Sequence, residues 1–164
     1  MLWAMAFLDP ASGPYISDLA AEDFQDRPGP WMDPNKDGPQ TDKIIVLMTD
    51  GKIVEQTRPD DPYDEWHHTN ECKDNNSKCS GRRSKNQNFD SFEEICDVAR
   101  ARRVRVFTIS VDINDSQTNG YLRRCASHPS FFFDTNSDDL EGVFTNIAET
   151  INRLQLSPYD SPGS

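Results

Sequence analysis

"KIIVLMTDGK", residues 43–52, is the stretch on which the organisation of this chain turns. Apolar residues run unbroken from Ile44 to Met48, β-branched at Ile44, Ile45 and Val46, and stop at Thr49-Asp50-Gly51. A run this short predicts a strand over 43–48, and its continuous rather than alternating apolar character is that of a strand buried on both faces. Such a strand belongs inside a sheet, because an edge needs charge, proline or cover.

Working outward, residues 52–89 form a long polar insertion, and order resumes at Asp90. Asp90 predicts a cap for a helix over 91–102, with Glu93 at the third helical position as in a capping box. Phe92, Ile95, Cys96 and Ala99 share one face of it. "VRVFTISV" (104–111) predicts a second strand, "NGYLRRCAS" (119–127) a short helix ended by Pro129, and "SFFFD" (130–134) a third strand. Ser137 precedes a closing helix whose stripe is Leu140, Val143, Phe144, Ile147, Ile151 and Leu154, with Asp138 and Asp139 at its positive end. Strands alternating with helices give an α/β fold, a doubly wound parallel sheet with right-handed crossovers. If these three strands in sequential order were the whole sheet, 43–48 would be an edge, so a neighbouring strand is expected beside it. Upstream, 1–8 reads as the tail of a helix closed by Pro10 and Gly13, and 9–42, rich in Pro, Gly and Asp, as loop.

Composition narrows the function. The 164 residues fit one domain, and 35% hydrophobic content with eleven prolines and eight glycines implies a modest core with long loops. Acids outnumber bases 28 to 17, a net charge of −11, which argues against nucleic acid or an anionic membrane as partner through a basic patch. No stretch reaches the roughly 20 apolar residues of a spanning helix. The opening "MLWAMAFLDP" lacks a basic leader and predicts no export signal. Four cysteines, Cys72, Cys79, Cys96 and Cys125, point instead to an oxidising compartment.

Asp50 is the leading candidate for chemistry. Ligands of open parallel sheets sit beyond the carboxyl ends of the strands, and one carboxylate there suits Mg²⁺, which keeps several waters. Gly51 would let the chain turn away, and a plain turn is the alternative. "DPNKDG" (33–38) matches the first half of a calcium loop, but the twelfth position is Ile44 rather than glutamate, so a turn is the expectation there. His67, His68, Cys72 and Cys79 have no common zinc-finger spacing; a local Cys72–Cys79 disulfide or free thiols stand against zinc. Consecutive right-handed crossovers would set the helices of Cys96 and Cys125 side by side, making a bridge between them feasible, with unpaired core thiols as the alternative. No nucleophile elbow, phosphate loop or His-Glu-x-x-His helix occurs. Asp50 and Asp112 both end strands, yet no base or phosphate-binding lysine stands obviously near, so the expectation is no enzyme.

"KIIVLMTDGK", "ICDVARARRVRVFTISVDI" (95–113) and "YLRRCASHPSFFFDTNSDDLEGVFTNIAETINRLQLS" (121–157) together resemble the second half of a von Willebrand factor A domain. More narrowly, "LMTDG", a cysteine in the next helix, Cys-Ala-Ser-x-Pro before an aromatic strand and the closing helix resemble the branch in Tad (tight adherence) pilus assembly proteins of the TadG type. "MLWAMAFLDPASGPY" is similar to the helix before the Thr-Asp-Gly strand of that branch. The resemblance implies a partial adhesion-type metal site in which Asp50 acts through water while Thr49 and Gly51 shape its loop. Asp-x-Ser-x-Ser, which the family places on the adjacent first strand, is absent from these 164 residues. Mg²⁺ or another divalent cation is accordingly expected only together with that missing half. Residues 1–40 become a trailing helix and loop, 41–157 the C-terminal half of the fold with its insertion, and 158–164 a disordered tail. The implied function is a non-enzymatic interaction module of the periplasm or cell envelope, binding protein partners of the pilus machinery and reaching a membrane only through an upstream anchor. The alternatives are a truncated or mis-started product without independent function, and a small α/β enzyme using Asp50.

Overall fold

The structure, a computed structural model, describes residues 1–19, 28–33, 41–58 and 81–156, and every statement of absence below is made of these residues. In chain order the elements are α1 (Leu2–Leu8), α2 (Gly13–Leu19), β1 (Ile44–Thr49), β2 (Gln56–Arg58), β3 (Gly81–Arg83), α3 (Lys85–Ala101), β4 (Arg105–Val111), α4 (Ser116–Cys125), β5 (Phe132–Thr135) and α5 (Leu140–Leu156). β1, β4 and β5 form a parallel sheet in that order, with Ile44 opposite Arg105 and Thr108 opposite Phe132. β2 and β3 pair as a separate antiparallel ribbon.

Side chains alternate across a strand, and here they sort into two cores. On one face Ile45, Val106 and Met5 of α1 pack with Cys96 and Ala99 of α3 and Cys125 of α4. On the other, Phe107, Ile109 and Val111 pack against Leu140, Val143, Ile147 and Ile151 of α5. Helices on both faces of a parallel sheet make this an α/β, Rossmann-type arrangement. Phe131 stacks on Phe107 with centroids 4.2 Å apart, and Phe89 on Tyr121 at 4.1 Å, so the aromatic residues serve the core.

β4 is paired on both edges even where β5 has not begun. Ser127 stands in for the absent strand: its N–H donates to Val106 O at 3.0 Å, and its Oγ accepts from Val106 N at 2.8 Å. That gives the Cys-Ala-Ser segment a backbone role. α4 and α3 are joined by the Cys96–Cys125 disulfide, Cα atoms 5.2 Å apart.

Several boundaries differ from the sequence expectation, and at the starts of α3 and α4 a polar cap outranks the apolar pattern. α3 begins at Lys85, not 91, because Ser84 and Gln87 form a reciprocal capping box; Asp90 and Glu93 lie inside the helix. The insertion expected at 52–89 therefore contributes β2, β3 and the first turn of α3. The far end of α3 closes with Val104 N–H on Ala99 O and Arg103 N–H on Arg100 O, a Schellman motif holding Arg103 at φ 56° where glycine is usual. α4 spans Ser116–Cys125 rather than 119–127, since Asp115 caps it through Thr118 N at 3.1 Å. A 3-10 turn over Pro129–Phe131 delays β5 to Phe132, and another over Ser137–Asp139, capped by Asn136, delays α5 to Leu140. Part of the loop expected at 9–42 is helical, in the 3-10 turn Pro10–Ser12 and α2.

β1 is an edge strand among the described residues, as the sequential order of the three strands implies, and it departs from expectation in its burial. Ile45 is 6% exposed, but Val46 is 41% and Met48 51% exposed, so burial on both faces does not hold. α5 spans the part of its face over β4 and β5 and leaves the outer half of β1 bare.

Candidate functional site

Thr49, Asp50 and Gly51 lie at the carboxyl end of β1, where the chain leaves the sheet. Thr49 Oγ1 accepts from Gly51 N and donates to Gly51 O, both at 3.2 Å, folding the Thr-Asp-Gly turn onto itself and leaving Asp50 exposed. Gly51 does not use glycine's special freedom: a Cβ there would come no nearer than 3.9 Å to Thr49 Oγ1, and its φ is not left-handed. The turn therefore does not demand the glycine that the sequence reading gave a shaping role.

Two side chains that the sequence reading missed pin the next residues. Ile53 N donates to Thr118 Oγ1 at 3.4 Å, and Asn88 Nδ2 donates to Val54 O at 2.7 Å. Thr118, fully buried, donates its hydroxyl to Asp115 Oδ2, with Lys85 Nζ 3.6 Å from the same oxygen. Hydrogen bonds from Thr118, then the charges of Lys85 and Lys52, hold the Asp115 carboxyl below the usual range despite some burial acting the other way. Asp115 and Thr118 were detectable as an Asp-x-x-Thr cap. Nothing local links Thr118 to a loop 65 residues away.

Beside this loop, Asn119 Oδ1 accepts from Ser110 Oγ at 2.6 Å, while its Nδ2 donates to Ile113 O at 3.2 Å and Asp134 Oδ2 at 3.4 Å. Asp112, weighed as a second carboxylate with Asp50, instead accepts from Ser137 N at 3.2 Å and sits at φ 54°, a conformation aspartate tolerates. It ties the end of β4 to the turn before α5.

For a divalent ion the fit is poor. No group of three or more His, Cys, Asp or Glu among the described residues is arranged to hold one, and Asp50 offers a single exposed carboxylate. Mg²⁺ gives up water reluctantly and needs more fixed oxygens than this turn supplies. Of the calcium-like loop, Asp33 is described and Ile44 packs in the α5 core, so position 12 is no ligand; residues 34–38 lie outside the described residues. His67, His68, Cys72 and Cys79 also lie outside them. No described helix is long and apolar enough to cross a membrane.

No family model and no curated protein matches the chain. Among solved structures, the chain is similar to the vWF domain of the type V pili tip protein Mfa5 from Porphyromonas gingivalis, at 16% identity and a TM-score of 0.49. The similarity covers 73% of this chain and 63% of the other, so the chain spans less than two thirds of that domain's length.

Proposed function

We propose that this chain is a non-enzymatic, protein-binding module of von Willebrand factor A type, serving Tad pilus assembly at the cell envelope. The observation that carries the reading is one of order: a Thr-Asp-Gly turn at the end of β1, a cysteine in α3, Cys-Ala-Ser before β5 and a closing apolar helix. Those features follow each other in the parallel order β1-β4-β5, the order in which the sequence resemblance presents them. A disulfide across the buried faces of α3 and α4 supports an oxidising location for the working protein. The exposed turn offers a contact surface rather than a reaction cleft: Asp50 is solvent-exposed, and Asp112 is spent on the Ser137 backbone. In this reading Asp50 contributes to metal-assisted partner contact only alongside further oxygen ligands.

The test is genetic. Deleting the gene that encodes this chain should abolish surface pili in electron micrographs, and supplying the intact gene should restore them. Normal piliation in the deletion strain would remove the Tad assignment.

A further inference from the structure

The loop that carries Asp50 buries little of its own surface. Asp50, Gly51, Lys52, Val54 and Glu55 are exposed and Ile53 is half-buried, so apolar packing does not account for its place. It is held from inside the molecule instead, by polar side chains of two different helices that reach successive residues. Thr118 of α4, fully buried, accepts from Ile53 N at 3.4 Å, and Asn88 of α3, 8% exposed, donates to Val54 O at 2.7 Å. The direction of the first bond follows from proton count. A threonine hydroxyl has one proton, and Thr118 gives it to Asp115 Oδ2, which leaves its lone pairs for the Ile53 amide. Hydrogen bonds from Thr118, then Lys85 at 3.6 Å and the charge of Lys52 in the loop itself, favour the ionised Asp115 that this arrangement requires. α3 and α4 are braced at the same end, where Phe89, next to Asn88, stacks on Tyr121 at 4.1 Å.

We infer that Thr118 and Asn88 are positioning residues for the Asp50 turn: from α4 and α3 they clamp Ile53 and Val54 and hold Asp50 in one preformed arrangement for a partner. The gain is pre-organisation. A partner that meets an ordered turn leaves little conformational entropy to lose, whereas a loose loop of exposed residues would lose it at each binding event. The inference rests on the reading of the turn as a contact surface, but the clamp is measured on the chain alone. Normal piliation in the deletion strain would therefore remove the Tad assignment and leave the loop measurement intact. Ile53 and Val54 also stand just before β2, so support of the β2–β3 ribbon is the competing role for the same two side chains.

The experiment is nitrogen-relaxation NMR on the full 164-residue chain, isotope-labelled and oxidised. In the parent, backbone order parameters from Asp50 to Val54 should match those of β4, about 0.85. Thr118→Val keeps the shape of the side chain and removes its hydroxyl, and should lower the loop values below about 0.6 while β4 stays rigid. Thr118→Ser keeps the hydroxyl and should keep the loop ordered, which a role in packing alone would not do. Should Thr118→Val not fold, Asn88→Asp replaces the donor to Val54 O by an acceptor, in a first helical turn that tolerates a carboxylate, and should loosen the same residues. A loop that stays ordered in the variants, or Thr118→Val and Thr118→Ser behaving alike, would overturn the assignment. Disorder confined to β2 and β3, with Asp50 and Gly51 unmoved, would overturn it in favour of the ribbon.

Discussion

β1 and β4 lie side by side in one sheet, yet the more apolar strand is the less buried. β1 is "IIVLMT" and has Val46 and Met48 exposed; β4 is "RVFTISV" and, after Arg105, is buried throughout, including Thr108 and Ser110 at 0% exposure. β4 carries its hydroxyls inside because each has a partner: Thr108 Oγ1 donates to Leu122 O at 3.0 Å and Ser110 Oγ to Asn119 at 2.6 Å. Its backbone is paired on one side by β1 and on the other by Ser127 and β5. β1 has a neighbour on one side and cover on one face. Burial is thus set by what surrounds a strand, and apolar composition marks only what a strand can tolerate.

Replacing matched residues should break or sharpen this contrast. Phe107→Ala empties a fully buried site between β4 and α5 and should cost about 3–5 kcal/mol in urea unfolding, whereas Met48→Ala on β1 should stay within about 0.5 kcal/mol. Equal losses would mean that β1 is as enclosed as β4. Next in size is the link that holds α3 and α4 over the shared face. Cys96→Ser with Cys125→Ser opens a loop with a sequence separation of 29 and should lower stability by about 3–4 kcal/mol, read from denaturation of the oxidised parent and the double variant. A parent insensitive to the loss would show that helix packing alone fixes that face. Ser127→Ala leaves Val106 N–H without its 2.8 Å acceptor and should cost about 1–3 kcal/mol, making this stretch of β4 resemble the open side of β1. Rapid exchange appearing at the Val106 amide would report it directly.

The smallest effect is electrostatic and lies at the foot of β1. Lys43 is buried, donates to Leu8 O and Gly29 O at 2.6 Å for the latter, and faces the Trp31 ring at 4.0 Å. Burial lowers its pKa from the ordinary 10.5, and the charge of Asp9 opposes that shift. The unfolded chain therefore holds this proton to higher pH than the folded one. Between the two values the unfolded state binds more protons, so this residue's contribution to stability should rise with pH up to about 10.5. Unfolding midpoints compared between the parent and Lys43→Met across that window should diverge in the parent's favour as pH increases. Divergence in the opposite direction would mean that the carbonyls and Trp31 favour the charged form more than burial disfavours it.

What could be read from the sequence follows the reach of each interaction. The α5 stripe was legible because Leu140, Val143, Ile147 and Ile151 recur at helical spacing and do face one core, although Phe144 of the same stripe is 45% exposed. The strand-helix alternation was legible for the same reason. The start of α3 was not, because "SKNQN" carries no apolar periodicity and its Ser84-x-x-Gln87 box was the sole local signal. Asp50 could be placed at a strand end, but its loop is held by Asn88 and Thr118, which sequence distance hides. Ser127 substitutes for a strand, a role that no local pattern encodes.

Amide exchange along β1 in the free, oxidised chain tests the central claim most directly. If β1 is bonded to β4 on one side and open on the other, Ile45, Leu47 and Thr49 should exchange slowly while Ile44, Val46 and Met48 exchange rapidly. Slow exchange at all six amides would show that the outer edge is already paired, and the account of β1 as an open edge would be wrong.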